Sequence, residues 1–310
     1  MPRAPRLVEC VPNVSEGRDA EAIAAFARAI SAVPGVTLMN VHTDPDHHRS
    51  VFSFLGSPEA VDAAALALAT EVFDRVDMRG HRGVHPRVGA LDVLPFVPLA
   101  TVAMAEVVEL AHRVGATLAA RHELPVYYYA EAARQADRRT LRALRAGQYE
   151  GLAARLATPE GRPDDGPARF DPRRGATLVG ARQVLVAFNV WLESDDLEAA
   201  RAVARVVRES GGGLPAVNAL GIRLASRGIV QVSLNLVDYR RTPIPVAFDR
   251  ISSEAAARGI AVRRGELVGL APRAAFARRA PASVGLADFS DNLYLDRYLK
   301  GAGCPIGRDS

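Results

Sequence analysis

Hydrophobic periodicity changes along this chain in the same order twice. A chain that repeats strand–helix–strand–strand–helix–strand has few ways to bury its apolar faces. In the first half "LVECVPNV" reads as a short strand. A helix follows, capped by Ser15 or Asp19, with Ile23, Phe26, Ile30 and Val33 at helical spacing and Pro34-Gly35 as the stop. "VTLMNVH" and "SVFSFLG" are rich in β-branched and aromatic residues, as strands are. Pro58 opens a second helix with Val61, Ala65, Leu68 and Val72 on one face, and "GALDVLPFV" is a near-continuous apolar strand. Helices are expected near residues 104–122 and 138–156, on either side of the strand "PVYYY". A polar, proline- and glycine-rich stretch then runs from Thr158 to Gly175.

The second half repeats the order. "QVLVAFNVWL" alternates as a strand, and "DDLEAARAVARVVRES" is a helix with acids at its start, where the helix dipole favours them. The glycines at 211–213 end that helix as an ordinary loop. "AVNALGIRLA" and "GIVQVSLNLVD" are strands, "PIPVAFDRISSEAAARG" a helix, "IAVRRGELVGL" a strand, and "PRAAFARRA" a short closing helix. Each half has the order of a split βαβ, ferredoxin-like unit. Such a unit carries its helices on one face of an open sheet, so the bare faces need a cover. The expected fold class is therefore α+β: two ferredoxin-like subdomains, 1–181 and 182–310, with stacked sheets and a ligand groove between them. A chain of 310 residues, 49% hydrophobic, can build more than one core.

Composition narrows the function. No apolar run approaches the roughly 20 residues of a membrane span, the start lacks a signal-peptide core, and only Cys10 and Cys304 are cysteines. A cytoplasmic protein without a disulfide framework is expected. The net charge is +4, carried almost wholly by scattered arginines, which argues against a nucleic-acid arm and for a small anionic ligand.

Chemistry concentrates in two places. "VHTDPDHHRS" holds His42, Asp44, Asp46, His47, His48 and Arg49 in what reads as a turn between two strands. "HRGVHPRVG" puts His81, Arg82, His85 and Arg87 at the mouth of an apolar strand. Zinc is a weak reading: adjacent strand residues point to opposite faces, and H-x3-H in a glycine-rich loop lacks zinc-site spacing. Acid–base work is the stronger one. A histidine can take and return a proton near neutral pH, and Pro86 restrains His85 towards an extended backbone. The bland alternative is that His85 only buttresses its loop. Arg82, Arg87 and Gly89 beside it argue for anion binding and close backbone approach. The stretch Asp164–Gly175 reads on residue type as a solvated linker between the halves. Read functionally, its glycines admit a ligand, Phe170 stacks, and Arg169, Arg173 and Arg174 meet carboxylates. His112 and His122 read as ordinary helix surface, Trp191 and Phe188 as strand core, and Cys10 as a buried structural thiol.

The segments "LVECVPNVSEGR", "DHHRSVFSFLG", "HRGVHPRVGALDVLPFVP", "YYYAEAA", "RRTLRALRAGQYEGL", "GPARFDPRRGATLVGAR", "LVAFNVWL" and "QVSLNLVDY" resemble the glutamate formimidoyltransferase (formiminotransferase) family, in order from about Leu7 to about Pro272. The resemblance implies a stand-alone transferase, a chain too short to carry the helical cyclodeaminase domain of some relatives. It implies two ferredoxin-like subdomains around a folate tunnel. The implied reaction moves the formimino group of N-formimino-L-glutamate to N5 of tetrahydrofolate in histidine degradation. The resemblance further implies tetrahydrofolate as co-substrate, no metal and a homodimer; neither nucleic acid nor membrane is an expected partner. By resemblance the catalytic histidine is His85, and the folate segment is Gly166, Pro167, Ala168, Arg169, Phe170, Asp171, Pro172, Arg173, Arg174 and Gly175. His42, His48, Arg49, Arg82 and Arg87 are the candidates for binding the formimino donor. His48 stands where relatives commonly carry asparagine, and Asn40 and His42 where some show aspartates. A formyl donor on the same scaffold, a non-catalytic folate carrier and a zinc hydrolase are the rival expectations.

Overall fold

The computed structural model describes residues 5–303; Cys304 and the end of the polar tail lie outside the described residues. The chain divides into two compact units, with the boundary between Arg182 and Gln183.

The first unit runs β1 (Val8–Cys10), β2 (Asn13–Val14), α1 (Ala20–Ser31), β3 (Thr37–Asp44), β4 (Arg49–Gly56), α2 (Pro58–Arg75), β5 (Leu91–Pro98), α3 (Met104–His122), β6 (Val126–Ala130), two short helices α4 (Leu141–Leu144) and α5 (Leu152–Leu156), and β7 (Thr177–Ala181). β1 and β2 both pair antiparallel with β4 on one side and β5 on the other, broken at Pro12, which has no N–H to give the ladder. β3 pairs with the far side of β4, while β7 and then β6 add in parallel beyond β5. Local signals start the helices where the sequence puts them: Asp19 accepts from the N–H groups of Glu21 and Ala22, and Ser57 from that of Ala60. Val8, Cys10, Phe52, Phe54, Leu94 and Phe96 point to the helical side of the sheet and pack on Phe26, Leu68, Val72, Leu110 and Val114. Period-two alternation sends Glu9, Arg49 and Tyr129 to the other side.

The second unit runs β8 (Val186–Leu192), α6 (Leu197–Val207), β9 (Val217–Leu224), β10 (Ile229–Leu236), α7 (Ile244–Ala256), β11 (Val262–Val268) and, near its end, α8 (Leu295–Gly301). Its sheet is antiparallel throughout, in the order β11-β8-β10-β9. Val186, Phe188, Val190 and Leu192 meet Val203 and Val207 of α6 and Ile244 and Ile251 of α7. Both units thus combine a sheet with helices, an α+β architecture, and residues 8–98 and 186–268 follow the strand and helix order read from the sequence.

Several expectations change. Residues 138–156 are not one helix: Gly147 and Gln148 adopt positive φ and break the chain into α4 and α5. β7 was not foreseen, because five small and β-branched residues after a polar stretch give too short a pattern. The segment after Pro272 is a single 3₁₀ turn, Arg273–Phe276, whereas the tail supplies α8. Trp191 is half-buried and belongs to a smaller core than Phe188: it packs on Ile222, Leu224 and Ile229 on the face away from the helices, donates Nε1–H to Glu266 at 3.2 Å and has the guanidiniums of Arg227 and Arg264 over its ring. His112 and His122 are half-buried, edge-on to Tyr128 and Phe73, rather than surface groups. Cys10 is buried in β1, and burial pushes its thiol pKa up, as suits a structural thiol.

Phe188 has no exposed surface and meets Phe248 edge-to-face at 6.4 Å. Phe188→Ala is expected to cost about 3–5 kcal/mol in urea unfolding, whereas Val246→Ser, at an exposed site, shifts stability by no more than about 0.5 kcal/mol. Burial raises the Glu9 carboxyl to about 7, against the pull of Arg182. The folded chain therefore holds a proton that the unfolded chain has released, and stability falls as pH rises from about 4.5 to 7. Glu9→Gln removes that loss, so its gain over wild type at pH 8 should exceed its gain at pH 5 by on the order of 2 kcal/mol in paired unfolding curves.

Candidate active site

β3 ends at Asp44 and β4 begins at Arg49, so Pro45–His48 form a four-residue turn. The Asp44 carboxylate accepts the His47 backbone N–H at 2.7 Å and sets the turn. His48 sits at φ +50, a conformation few side chains other than glycine tolerate. Its ring is held on three sides. Nδ1 lies 3.1 Å from the Arg82 carbonyl, Nε2 lies 3.2 Å from Glu16 Oε1, and the ring stacks on His81 with centroids 4.2 Å apart. Burial works against charge on Glu16, yet the His48 ring and the N–H groups of Asp19 and Arg18 hold its pKa at about 2.

The segment before β5 is tied to this turn. Val84 N–H donates to the Asp46 carbonyl at 3.1 Å, and Arg18 donates to the carbonyls of Pro45 and Arg82, both at 2.9 Å. Arg87 Nε donates to His81 Nδ1 at 3.2 Å. That nitrogen must accept, so His81 carries its hydrogen on Nε2 and donates to the His48 carbonyl at 2.9 Å. Burial pushes His81 down to about 4. The two terminal nitrogens of Arg87 grip Glu150 at 2.8 and 2.6 Å, so its guanidinium is fully engaged within the protein. Arg82 is exposed and donates to the carbonyl of His81 at 2.8 Å.

His85 differs from these. Its Nδ1 meets the Pro86 carbonyl at 2.9 Å, and a carbonyl only accepts, so Nδ1 bears the hydrogen and Nε2 keeps its lone pair. Among the described residues Nε2 has no hydrogen-bond partner. The ring is half-buried, 5.5 Å from that of His47. Burial, then the charges of Arg49 and Arg145 and the His47 ring, push its pKa well below that of a free histidine. The imidazole is neutral at neutral pH, with one nitrogen fixed and the other basic.

Behind it lies Asp92, fully buried in β5. It accepts Arg49 Nη1 at 2.7 Å, Arg145 Nη2, and the Val88 N–H at 2.8 Å. Burial would raise this carboxyl, but Arg145 and Arg49 outweigh it and hold it below the usual range. Burial lowers Arg49 to about 10, and its Nε donates to Asn13 Oδ1 at 2.9 Å.

The polar stretch ending at Gly175 is not a linker between the units. It lies within the first, between β6 and β7, and its end pairs with the His85 segment. Ala90 N–H donates to the Arg174 carbonyl at 2.8 Å, Ala176 N–H to the Val88 carbonyl at 3.1 Å, and Gly89 and Gly175 form the bridge between them. Only glycine fits at that crossing: a Cβ on Gly89 would lie 2.2 Å from the Ala176 oxygen, and one on Gly175, at φ +72, 2.2 Å from the Val88 oxygen. Asp171 folds the stretch by accepting the N–H groups of Arg173 and Arg174 and, through its carbonyl, that of Gly175. Phe170 packs near Tyr149 at 5.5 Å, and the Tyr149 hydroxyl donates to the Pro172 carbonyl. Arg169 pairs with Glu123 at the surface, and Arg173 and Arg174 reach the carbonyls of Asp74 and His122.

His48, Arg49, Arg82, His85 and Arg87 are therefore brought together, with residues 170–175 alongside. His42 is not in the turn; it lies on β3 opposite Val51. Sequence reasoning missed Asn13, Glu16, Asp92, Arg145, Tyr149 and Glu150. A readable signal existed for Asp92, a lone acid in the apolar run "GALDVLPFV". Arg145 and Glu150 were hidden by the expectation of a continuous helix. Among the described residues no group of three or more histidine, cysteine or acidic side chains is arranged to hold a metal ion.

A family model described as "Formiminotransferase domain, N-terminal subdomain" matches residues 7–182, and one described as "Formiminotransferase domain" matches residues 187–282. The chain is 40% identical over 301 residues to the glutamate formimidoyltransferase of Thermoplasma acidophilum, covering 96% of this chain and 98% of that one. It is 37% identical over 297 residues to that of Streptococcus pyogenes serotype M1, covering 96% and 99%. It is 45% identical over 276 residues to the formimidoyltransferase-cyclodeaminase of Gallus gallus, covering 87% of this chain but 51% of that protein, so it spans about half the length of relatives of that kind. The chain belongs to the formiminotransferase family.

Proposed function

We propose that this protein transfers the formimino group of N-formimino-L-glutamate to N5 of tetrahydrofolate, giving 5-formiminotetrahydrofolate and L-glutamate, with His85 as the proton-transfer group. The observation that carries this reading is the free lone pair on His85 Nε2, opposite an Nδ1 fixed by the Pro86 carbonyl. In the reaction N5 bonds to the formimino carbon and a tetrahedral intermediate forms. N5 then loses its proton to Nε2, the bond from carbon to the glutamate nitrogen breaks, and Nε2 passes that proton to the departing nitrogen. A neutral imidazole does both transfers without net change, and such positioned transfer contributes about 10²–10⁴-fold. Holding two ligands in register removes much of the entropy of their encounter.

Residues 166–175 are the folate segment in this reading, supported by the backbone pairing of their end with residues 88–90, close in sequence to His85, and by the Phe170 ring next to Tyr149. Arg49 serves the donor, because its guanidinium is held by a buried carboxylate and lies close enough to act on His85. We assign Arg87 and His81 to holding the loop, since their polar atoms are engaged within it. His48 keeps the turn closed against Glu16, and His42 and Arg82 sit at the edge of the reading. It also takes both units as ferredoxin-like, on the strength of the β11-β8-β10-β9 order in the second, and includes a folate tunnel, a cytoplasmic location and a homodimer. No helix among the described residues is long and apolar enough to cross a membrane.

His85→Ala should lower kcat by two or more decades while thermal midpoint and folate affinity stay near wild type. Near wild-type turnover would remove His85 from the role. In the wild-type enzyme the lowered His85 pKa keeps the base form on the acid side of neutrality. kcat/KM should hold its plateau below pH 6.5 and fall only at lower pH. Assaying N-formimino- and N-formyl-L-glutamate side by side, with tetrahydrofolate as acceptor, identifies the donor.

A further inference from the structure

Asp92 carries one negative charge and faces two guanidiniums, those of Arg49 and Arg145. The cluster is walled from water: Asp92 has no exposed surface, and the side chains of Arg49 and Arg145 are 7% and 13% exposed. One positive charge is therefore unmatched beside a neutral imidazole. The hydrogen-bonding pattern shows where it is available. Arg49 uses Nε on Asn13 and Nη1 on Asp92, while Arg145 uses Nη2 on Asp92. Arg145 Nε is buried without a partner, and Arg49 Nη2 and Arg145 Nη1 are not among the atoms spent on Asn13 and Asp92. Neither side chain is free to drift. Arg49 stands at the first position of β4, and the Arg145 backbone caps α4 by donating to the Leu141 carbonyl at 2.9 Å.

We propose that Arg145 and Arg49, clamped by Asp92, form a subsite for a carboxylate of the glutamyl part of the formimino donor, with Arg145 as the specificity-determining arm. The inference rests on the formimino-transfer reading and deepens it. Two guanidinium edges fixed by one carboxylate match the geometry of a second carboxylate, and burial strengthens that recognition over the same pair in water. A donor with an amide at that carboxylate would leave the surplus charge unmatched, and polar sites reject ligands that leave buried groups unpaired.

The test reads binding apart from turnover. Calorimetry measures the Kd of N-formimino-L-glutamate and of its two monoamides, at the α- and the side-chain carboxyl, for wild type, Arg145→Met and Arg145→Lys. Wild type should bind one of the amides about 30-fold or more weakly than the diacid. Arg145→Met should weaken the diacid by about the same factor and lose that discrimination, with tetrahydrofolate binding unchanged. Arg145→Lys keeps the charge but not the planar fork and should fall between the two. A wild-type Kd for the diacid in whichever variant keeps its thermal midpoint, or undiminished discrimination against the amide, overturns the subsite. Transfer by wild-type protein is scored separately, so a subsite that binds without transfer is told apart from a transferase whose donor docks elsewhere.

Discussion

The site depends on a carboxylate that water does not reach. Asp92 gathers two arginines from distant parts of the chain and, through Val88 N–H, the backbone of the segment that carries His85. Any one of these contacts could form elsewhere. Their meeting on a single buried acid fixes the distances among them, because such an acid is tolerable only while its partners stay in place. Removing one side of a buried ion pair typically costs about 3–5 kcal/mol, so the arrangement is as rigid as the core around it. The imidazole inherits that rigidity and the electrostatics that come with it: flanked by cations and partly screened from solvent, it stays uncharged.

Much of the fold could be read directly because its signals are local. Asp19, Ser57 and Pro58 start helices where their side chains or ring cap them, and β4 and β5 announce themselves as apolar runs. What escaped depends on contacts between distant residues. β7 exists because β5 and β6 offer it edges, and no periodicity within five residues reports that. The break at Gly147 and Gln148 cuts a pattern that reads as helical and turns Arg145 and Glu150 towards partners far away in sequence. Trp191 obeys strand alternation, but that rule alone does not say which face the helices cover.

The segment that carries the histidines is legible in residue types, while the roles proposed for them rest on contacts the sequence does not show. Histidines and arginines around a proline mark a site, yet charge on a sequence does not say which groups are spent on each other. Arg87 looks like an anion binder until Glu150 and His81 are seen to occupy all its nitrogens. His48 looks like a substrate contact, and its positive φ, its stacking on His81 and its link to Glu16 support the proposal that it also latches the turn. His85 stands apart for the opposite reason, a nitrogen left over.

The crossing of Gly89 and Gly175 has one more consequence. Two stretches remote in sequence meet there main chain to main chain, with no side chain between them to act as a cushion. Neither can rotate or slide without dragging its neighbour. Under the proposed function, whatever stills the arginine-rich stretch also stills the one bearing the imidazole, so the freedom surrendered when the first ligand settles is not surrendered again when the second arrives.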